Sequence, residues 1–597
     1  MPLGDQAATR RRFVVYFASV GLSTSVLPGL LWEQLLAQET GRPAKEPRRL
    51  TTAMLNEALA VAGLEFTEDE RQQMLNGANQ SLDRYAELRR VPIDLTIAPP
   101  MYFSPIVPGT RLDRVAKPFR ISRPPPVRRP ANLEELAFWP VRRLAQLIKT
   151  RRITSVELTE MYLTRLKKYN PALNCVVTFT DELAMKQARQ ADRDIATGTY
   201  RGPLHGIPWG CKDIIAVPGY PTTWGSNAFK DQMFDGEATV VRLLREAGAV
   251  LIAKLTTGEL AFGDYWFGGR THNPWDLTEG ASGSSTGPAS ATAAGLVGFA
   301  IGTETSGSIL FPATRCGATG LRPTFGRVSR HGAMTLSWTR DRLGPLCRTV
   351  EDCAIVLKAI ARPDEQDLSV IDLPFNWDAG LDVRKLRVGY LEPTGAEEGR
   401  SDEWTRNDHQ TLDQLRSLGV ALEPFTMPTL PTRLADTGSS AEAGAFFDEA
   451  LRSGRDQRLG NTNRSNGWRQ SRLVPAVEFL QGLRVRALVM RKFAEAVSHF
   501  DVFLASSNNP PLAAPGDAGG GGVDRATRPA NKTREGFEAA NLCGYPALSV
   551  PNGFTQKGKP TSITFLGRLY AEAEVLALAR AYQDASGWHE RHPTLSP

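Results

Sequence analysis

Two loops rich in serine and glycine carry the side chains best suited to nucleophilic chemistry. One loop is residues 280–287, which precede an alanine-rich stretch, and the other is residues 302–309. Each loop touches the end of a regular element, so both can present hydroxyl groups and free backbone N–H groups at a common edge of a sheet. Taken alone, such a loop is more typical of a solvated turn.

Lys212 is the candidate base for a serine nucleophile. It ends residues 206–212, a run that holds no other charge. Apolar surroundings disfavour the charged ammonium group, which lowers the pKa of the lysine and lets the neutral amine accept a proton. Serine paired with a neutral lysine replaces serine paired with histidine in some hydrolases. Asp213, the next residue, would favour the charged form instead.

A second interpretation places the nucleophile at Ser285, because residues 283–287 fit the G-x-S-x-G nucleophile elbow of α/β-hydrolases. The elbow needs a preceding strand, and residues 273–279 do not have a strand pattern. His589 and His592 are the histidines late enough in the chain to assist it, but their place near the C-terminus predicts solvent exposure. The elbow is therefore the less favoured interpretation.

From about residue 134 to the C-terminus, the chain resembles the amidase signature family of serine hydrolases. The motifs that carry the resemblance are long and keep a fixed order. They are the two loops above and residues 205–213, 316–329, 344–352 and 544–551. The resemblance implies an α/β fold, an α/β/α sandwich around a large mixed sheet, preceded here by a small helical N-terminal segment.

In that family the catalytic set is a serine, a second serine that follows a cis peptide bond, and a lysine. Matched motif by motif, the nucleophile falls on Ser308, the bridging serine on Ser284 and the base on Lys212. The bridging serine passes the proton between the nucleophile and the lysine. The oxyanion hole falls on four backbone N–H groups, those of Thr305, Ser306, Gly307 and Ser308. The resemblance implies no cofactor and no metal.

This sequence departs from the family pattern inside both loops. Glu304 keeps the family's acidic position, but Leu310 stands where an arginine is usual, so the expected acid–arginine pair is lost. Arg315 and Arg322 are the candidate replacements. Three positions carry a larger residue than the glycine that the family favours, namely Ser282, Thr286 and Ser306. The bulkier Ser306 would shift the backbone of the oxyanion hole.

The first residues resemble a twin-arginine export signal, which sends folded proteins across a bacterial inner membrane. Arginines at 10–12 precede Phe13 and an apolar stretch that continues to Trp32 without an acidic residue. We expect residues 1–37 to be an export signal or a membrane anchor and the protein to be periplasmic or secreted. The alternative is a basic amphipathic helix of a cytoplasmic protein.

Residues 38–117 are expected to form a helical strap. Apolar spacing predicts one helix over 51–62, and Thr67 with Glu70 three positions later gives a capping box for a second helix. The second helix carries one apolar stripe, Met74, Ala78, Leu82, Tyr85 and Leu88. The segment resembles the small helical subunit of tRNA-dependent amidotransferases. The proline-rich residues 118–130 predict a stiff extended connector.

Residues 131–597 alternate helices with short apolar strands and form the predicted amidase signature domain. The pattern predicts a helix over 144–166 and buried strands at 248–253 and 297–301. Such alternation indicates helices on both faces of a sheet. The glycine-rich run 516–523 predicts a mobile surface loop.

The amino-acid composition argues against several classes of function. The chain of 597 residues has a formal net charge of +7, but the excess lies in arginine runs near the N-terminus without interleaved aromatic residues, so nucleic-acid binding is not expected. Six cysteines without a CxxC pair predict neither a disulfide framework nor a structural zinc site, and Cys316 is expected to be a small core residue. Only the N-terminal segment is expected to contact a membrane.

The resemblance implies an amide hydrolase that acts on a small-molecule amide through a seryl acyl-enzyme. Two alternatives stay open. The first is the A-type subunit of a tRNA-dependent amidotransferase, which delivers ammonia to misacylated tRNA and needs a large partner subunit in the cytoplasm. The second is a non-enzymatic binding protein on an amidase scaffold, an interpretation motivated by Ser306 and Leu310.

Overall fold

Eleven of the strands described here form one mixed sheet. The computed structural model describes residues 49–72, 74–75, 78–79, 103–124, 126–391, 402–436, 439–507 and 532–595. The chain divides into two compact units, Met1–Asp94 and Leu95–Pro597, and the sheet lies in the second. The predicted α/β fold around a large mixed sheet is therefore confirmed.

Numbered along the chain, the strands are β1 Val176–Phe179, β2 Pro208–Lys212, β3 Val250–Leu255, β4 Tyr265–Trp266, β5 Gly269–Arg270, β6 His272–Asn273, β7 Asp276–Gly280, β8 Phe299–Glu304, β9 Thr319–Arg322, β10 Arg342–Cys347, β11 Val388–Leu391, β12 Leu422–Phe425, β13 Val502–Ser506, β14 Ala547–Phe554 and β15 Pro560–Gly567. The large sheet has the order β1-β3-β2-β8-β10-β9-β14-β15-β13-β11-β12, while β4 pairs with β5 and β6 with β7. Strand β2 runs parallel to both of its neighbours, β3 and β8.

The helices are α1 Thr52–Ala62, α2 Val141–Lys149, α3 Ser155–Leu173, α4 Asp181–Ala196, α5 Thr239–Glu246, α6 Thr286–Ala293, α7 Leu310–Cys316, α8 Val350–Ile360, α9 Asp402–Ser417, α10 Thr432–Ala435, α11 Ser439–Phe446, α12 Asp448–Arg452, α13 Thr462–Ser471, α14 Ala476–Ala496, α15 Lys532–Leu542 and α16 Glu572–Ser586. Short 3-10 helices span Leu133–Phe138, Glu259–Ala261, Val383–Lys385, Arg455–Arg458 and Trp588–Glu590.

The two predicted strands are confirmed, whereas the predicted helix over 144–166 is wrong as one element. Strands β3 and β8 each lie two or three positions further along the chain than predicted. The helix is divided into α2 and α3, because Arg151 takes a left-handed φ of 56° and Thr154 begins a new helix. The Thr154 side chain accepts a hydrogen bond from Glu157 N at 3.0 Å, and Glu157 accepts one from Thr154 N at 2.8 Å. Both helices bury apolar residues, so periodicity alone conceals this break.

The first unit contains the predicted helix α1. Thr51 caps its start by accepting a hydrogen bond from Met54 N at 3.3 Å, and Gly63 ends it with a φ of 67°. The predicted capping box is also present, since Thr67 N donates to Glu70 Oε2 at 2.7 Å. Three residues of the predicted stripe lie outside the described residues, namely Leu82, Tyr85 and Leu88.

The predicted connector lies in the second unit. Arg120 forms a single β-bridge with Asp378, and Ser122 N donates to Glu351 Oε1 at 2.6 Å. Residues 1–37 and 516–523 lie outside the described residues, and the predicted domain boundaries stay predictions. Among the helices of the described ranges, none has the length and apolar character to cross a bilayer.

A cluster of buried residues, five of them alanines, joins α6 to α7. Its members are Ala281, Ala289, Ala293, Ile309, Ala313, Cys316, Ala318 and Leu346. Because alanine side chains are short, the two helices approach closely, and the loops that precede them meet. This cluster confirms the prediction that Cys316 is a core residue, and burial raises the pKa of its thiol.

Candidate active site

Lys212 and Thr303 meet because their strands are parallel neighbours. Lys212 ends β2, Thr303 lies one residue before the end of β8, and the carboxyl ends of the two strands share one edge of the sheet. Lys212 Nζ lies 2.8 Å from Thr303 Oγ1. It also lies 2.8 Å from Ser284 Oγ. The amine is therefore fixed between two hydroxyl groups.

Burial governs the protonation of Lys212. The side chain is 0% exposed, and loss of hydration lowers its pKa to about 7. The negative charges of Asp341 and Glu304 act in the opposite direction but do not outweigh burial. The predicted lowering of the lysine pKa is confirmed, and a neutral amine is available near neutral pH.

Asp213 does not act on Lys212 as its position in the sequence suggests. Its carboxylate pairs instead with Lys254 on the neighbouring strand β3, at 2.7 Å, in a pair that is wholly buried. Thr223 N donates to the same carboxylate at 3.0 Å. The negative charge of Asp213 is therefore balanced by Lys254 and not by Lys212.

Ser284 lies in a tight loop between β7 and α6. The Gly283–Ser284 peptide bond is cis, as the family resemblance implies. A side chain at Gly283 would place its Cβ 1.8 Å from the carbonyl oxygen of Gly263, so the loop accepts only glycine there. Gly258 N donates to the carbonyl oxygen of Ser284 at 3.3 Å, which further fixes this loop.

The backbone of Ser308 lies against the same loop. Ser285 N donates to the carbonyl oxygen of Ser308 at 3.1 Å, which ties the residue after Ser284 to the predicted nucleophile. Ser308 is half-buried, whereas Ser284 is 1% exposed. The structure thus places the backbone of Ser308 beside the loop that carries Ser284, and Ser284 in turn contacts Lys212.

The predicted oxyanion loop, residues 305–308, joins β8 to α7. Gly307 takes a φ of 96°, and a Cβ there would lie 2.2 Å from the ring of Phe311, so the loop accepts only glycine at this position. Thr305 Oγ1 donates to Asp341 Oδ1 at 2.6 Å. Asp341 also accepts the backbone N–H groups of Leu336 and Ser337, at 2.7 and 3.0 Å.

Glu304 pairs with Arg322, one of the two arginines that the sequence offers as candidate partners. Arg322 Nη1 lies 2.8 Å from Glu304 Oε1, and both side chains are wholly buried. Burial opposes the charge of Glu304, but Arg322 and Arg342 outweigh it and lower its pKa. The second candidate, Arg315, pairs with Glu279 instead, at 3.3 Å.

The same carboxylate holds the start of α7. Glu304 Oε2 accepts hydrogen bonds from Ile309 N at 2.9 Å and Leu310 N at 3.1 Å. The Leu310 side chain, which replaces the family's arginine, is 1% exposed and packs in an apolar cluster with residues such as Met427 and Phe493. Leu310 therefore packs in the core in place of the family's arginine, and the hydrogen bonds to Glu304 still hold the backbone that follows Ser308.

The structure gives Ser285 a structural role. Its hydroxyl donates to the carbonyl oxygen of Thr303 at 3.1 Å and accepts from Thr303 N at 3.2 Å, and the residue is 0% exposed. Residues 276–280 do form a strand, contrary to the prediction, but it pairs with β6 in a separate two-stranded sheet. His592 is exposed as predicted, and His589 is half-buried.

Sequence reasoning missed Thr303 and Asp341. Thr303 belongs to the second serine and glycine loop, and its hydroxyl could have been noted as a polar group at a strand end. Asp341 lies 33 residues after Ser308, outside every motif that carries the family resemblance. Its contact with Thr305 depends on the pairing of β8 with β10, which no local pattern indicates.

Comparison with known proteins gives consistent matches. The family described as Amidase matches residues 157–576. The chain is 33% identical over 490 residues to the A-type subunit of the glutamyl-tRNA(Gln) amidotransferase of Methylococcus capsulatus, covering 75% of this chain and 97% of the relative. It is similar to the peptide amidase of Stenotrophomonas maltophilia, with a TM-score of 0.65, 28% identity and coverage of 76% and 98%. A 6-aminohexanoate cyclic dimer hydrolase shares the fold, with a TM-score of 0.67, 22% identity and coverage of 76% and 99%.

The matched residues contain every part of the candidate site described above. They include the lysine at the end of β2, the serine after the cis peptide bond and the loop between β8 and α7. The match covers well over half of the chain, and the relative from Methylococcus is covered almost completely. This chain belongs to the amidase signature family.

Proposed function

We propose that this protein cleaves the C–N bond of a carboxamide, with Ser308 as nucleophile, Ser284 as proton bridge and Lys212 as base. The observation that carries the proposal is the buried contact of 2.8 Å between Lys212 Nζ and Ser284 Oγ. A pKa of about 7 leaves much of the lysine neutral near neutral pH. A base with a pKa close to the working pH is efficient in proton transfer.

In the proposed reaction, Ser308 Oγ attacks the carbonyl carbon while its proton passes to Ser284 and a proton of Ser284 passes to Lys212. The C–N bond then breaks, and the proton returns through the same two groups to the departing nitrogen. Water attacks the resulting ester next. Release of the carboxylic acid restores the Ser308 hydroxyl and leaves Lys212 neutral.

Stabilisation of the oxyanion is assigned to the backbone N–H groups of residues 305–308. Support comes from the two anchors of this loop, since Thr305 is bonded to Asp341 and the residues after Ser308 are bonded to Glu304. Anchored donors do not have to reorganise when charge develops on the carbonyl oxygen. Ser306 contributes only its backbone in this proposal.

A serine-directed fluorophosphonate tests the nucleophile. We expect the reagent to add one phosphonate group to the peptide that contains Ser308, and Ser308→Ala to abolish labelling and amide turnover while the circular dichroism spectrum stays unchanged. Ser498→Ala, at an exposed serine far along the sequence, is the control and should label normally. Labelling at Ser285 would instead support the nucleophile elbow. An unlabelled wild type would support the non-enzymatic scaffold.

The A-type subunit of a glutamyl-tRNA(Gln) amidotransferase is the second candidate function. The identity of 33% over 490 residues to a protein of that kind favours it, whereas the solved peptide amidase is 28% identical. In this role the same acyl-enzyme would release ammonia to a partner protein, and tRNA would enter the complex. The chemistry proposed for Ser308, Ser284 and Lys212 is common to both candidates.

Turnover by the purified chain alone separates these candidates. A self-sufficient hydrolase should release ammonia or amine from simple aliphatic, aromatic or peptide amides without any partner. An amidotransferase component should hydrolyse glutamine and should respond to a tRNA-binding partner recovered with it from cell extract. Glutamine as the sole substrate, together with stimulation by that partner, would contradict the hydrolase.

We also propose that the first 37 residues direct export, on the support of the arginines at 10–12 and the apolar stretch after them. Fractionation of the source cells should find the protein outside the cytoplasm, and Arg10→Lys with Arg11→Lys should retain it inside. Location in the cytoplasm in both cases would contradict export and would favour the tRNA-dependent candidate, because tRNA is cytoplasmic.

A further inference from the structure

Asp341 joins two segments of the chain beside the candidate site. Its Oδ1 accepts a hydrogen bond from Thr305 Oγ1 at 2.6 Å, and its Oδ2 accepts from Leu336 N at 2.7 Å and from Ser337 N at 3.0 Å. The residue is 8% exposed. One buried carboxylate therefore links segment 336–341 to Thr305, the residue with which the oxyanion loop begins.

Segment 336–341 is held from its other side by two helices. Glu442 in α11 accepts hydrogen bonds from Ser337 Oγ at 2.9 Å and from Thr339 N at 3.1 Å. Arg486 in α14 donates to Thr339 Oγ1 at 2.8 Å and to the carbonyl oxygen of Thr339 at 2.9 Å. These contacts fix the segment without the help of the oxyanion loop, so the segment is the anchored side of the link.

The carboxylate of Asp341 also lies near Lys212. Thr303, Thr305 and Asp341 line the same small cavity, and Lys212 Nζ lies 2.8 Å from Thr303 Oγ1. Arg330 lines this cavity as well, and its positive charge favours the ionised form of Asp341. Burial raises the pKa of Asp341, whereas the hydrogen bonds that it accepts lower it. The amine and the carboxylate are therefore neighbours in the site.

Two negative groups act on Lys212, and they differ in their partners. Glu304 is ion-paired with Arg322 at 2.8 Å. The three hydrogen bonds described for Asp341 come instead from neutral donors, one hydroxyl and two backbone N–H groups. Of the two carboxylates, Asp341 has the larger influence on the pKa of Lys212, which it raises against the effect of burial.

We propose that Asp341 is a positioning residue of this site, which fixes the start of the oxyanion loop through Thr305 and stabilises the ammonium ion that forms when Lys212 takes up a proton. The inference rests on the proposed amide-cleaving function. A positive charge is costly in a buried place unless a negative group offsets it. The negative charge on the substrate oxygen develops at the same stage, and its donors must already be in place. Asp341 thus acts on both charges of the transition state.

Thr305→Val and Thr305→Ser test the link to the oxyanion loop. Valine has nearly the same shape but no hydroxyl, so we expect kcat to fall by about 10-fold or more, with less than about a threefold change in KM, because oxyanion donors act in the transition state. Serine keeps the hydroxyl and should recover most of the lost rate. Thr278→Val is the control, since Thr278 is exposed and donates to Asp276 at the same 2.6 Å. An unchanged kcat in Thr305→Val, or equal losses with valine and serine, would overturn the positioning role.

Asp341→Asn tests the charge. Without the negative charge Lys212 should lose its proton more easily, so the rise of kcat/KM with pH should move to lower pH by about half a unit or more. Thr305→Val keeps the charge and should leave the midpoint of this rise in place, as should Asp276→Asn, a change of the same kind outside the site. An unchanged midpoint in Asp341→Asn would overturn the charge role. The variants of Thr305 keep the bonds of Asp341 to segment 336–341, so they decide the proposal if Asp341→Asn does not fold.

The rate of fluorophosphonate labelling separates this inference from the proposed function. Ser308 Oγ bonds to phosphorus and displaces fluoride, and the phosphoryl oxygen gains negative charge at the oxyanion loop, so Thr305→Val should slow labelling about as much as it lowers kcat. If wild type is labelled faster than Thr305→Val but turns over no amide, only the amide-cleaving function is overturned. Equal labelling rates in the two proteins, or no labelling of wild type, would overturn the inference.

Discussion

Lys212 Nζ lies 2.8 Å from Ser284 Oγ, and neither side chain is more than 1% exposed. The hydrogen bonds described for this amine run to Ser284 and Thr303, not to Ser308. In the proposed mechanism, a proton that leaves Ser308 would therefore reach the lysine by way of Ser284. Loss of either member of the pair should interrupt the same route.

Replacement of Lys212 by arginine should be nearly as damaging as replacement by alanine. A guanidinium keeps its proton at any usable pH and cannot act as the base. For wild type, kcat/KM should rise with pH through about 7 and then level off, because the neutral amine is the active form. A pH–rate profile of wild type beside both variants measures this. A fully active Lys212→Arg enzyme would contradict the mechanism.

The buried Lys212 should also lower the free energy of unfolding of the wild-type protein at neutral pH. Its pKa is about 7 in the folded chain and about 10.4 in an unfolded chain, so the unfolded chain binds more protons between these pH values. Lys212→Met should therefore raise the free energy of unfolding at pH 7, by about 4 kcal/mol from this proton linkage, and this gain should shrink as pH rises towards 10. Urea unfolding at several pH values tests it. A difference that is constant with pH would exclude a desolvated lysine.

Ser284→Ala and Ser285→Ala should differ although the residues are adjacent. Ser284→Ala removes the proton bridge and should lower kcat at least 100-fold. Ser285→Ala leaves the backbone of Thr303 without its side-chain partner, so we expect a loss of stability of about 1–3 kcal/mol and a smaller loss of kcat. Thermal unfolding and kcat measured together decide between these outcomes. The reverse order of kcat would revive Ser285 as the nucleophile.

Thr303 should contribute to activity through its hydroxyl. Thr303→Val removes one of the two hydrogen-bond partners of Lys212, which should lower kcat/KM about 10-fold, the equivalent of one hydrogen bond. Thr303→Ser keeps the hydroxyl and is the matched control. An equal loss in Thr303→Ser, which keeps the hydroxyl, would contradict a specific role of this hydroxyl.

Arg322→Met should destabilise the protein far more than Arg315→Met. The first change leaves Glu304 buried without its partner, which typically costs about 3–5 kcal/mol. The second breaks a pair with Glu279 nearer the surface, which should cost no more than about 1 kcal/mol. Chemical denaturation measures both. Equal effects would contradict the assignment of Arg322 as the partner that anchors the loop after Ser308 through Glu304.

Local patterns were sufficient for several elements. The capping box at Thr67 and the strands β3 and β8 were predicted correctly because each depends on residues that are close in sequence. The break between α2 and α3 was not predicted, since it depends on a left-handed Arg151 within a stretch that keeps burying apolar residues. A periodic pattern reports which face is buried, and it does not report where the backbone turns.

The sequence by itself determined the family and the placing of Lys212, Ser284 and Ser308, because these residues lie in long ordered motifs. Only the tertiary structure decided which partners the buried charged side chains take. Asp213 pairs with Lys254, Glu304 with Arg322, and Thr305 bonds to Asp341. Each of these contacts joins residues from different strands or loops, so it depends on the order and register of the sheet. Buried charges need partners at hydrogen-bond distance, and only the fold determines which partners are within reach.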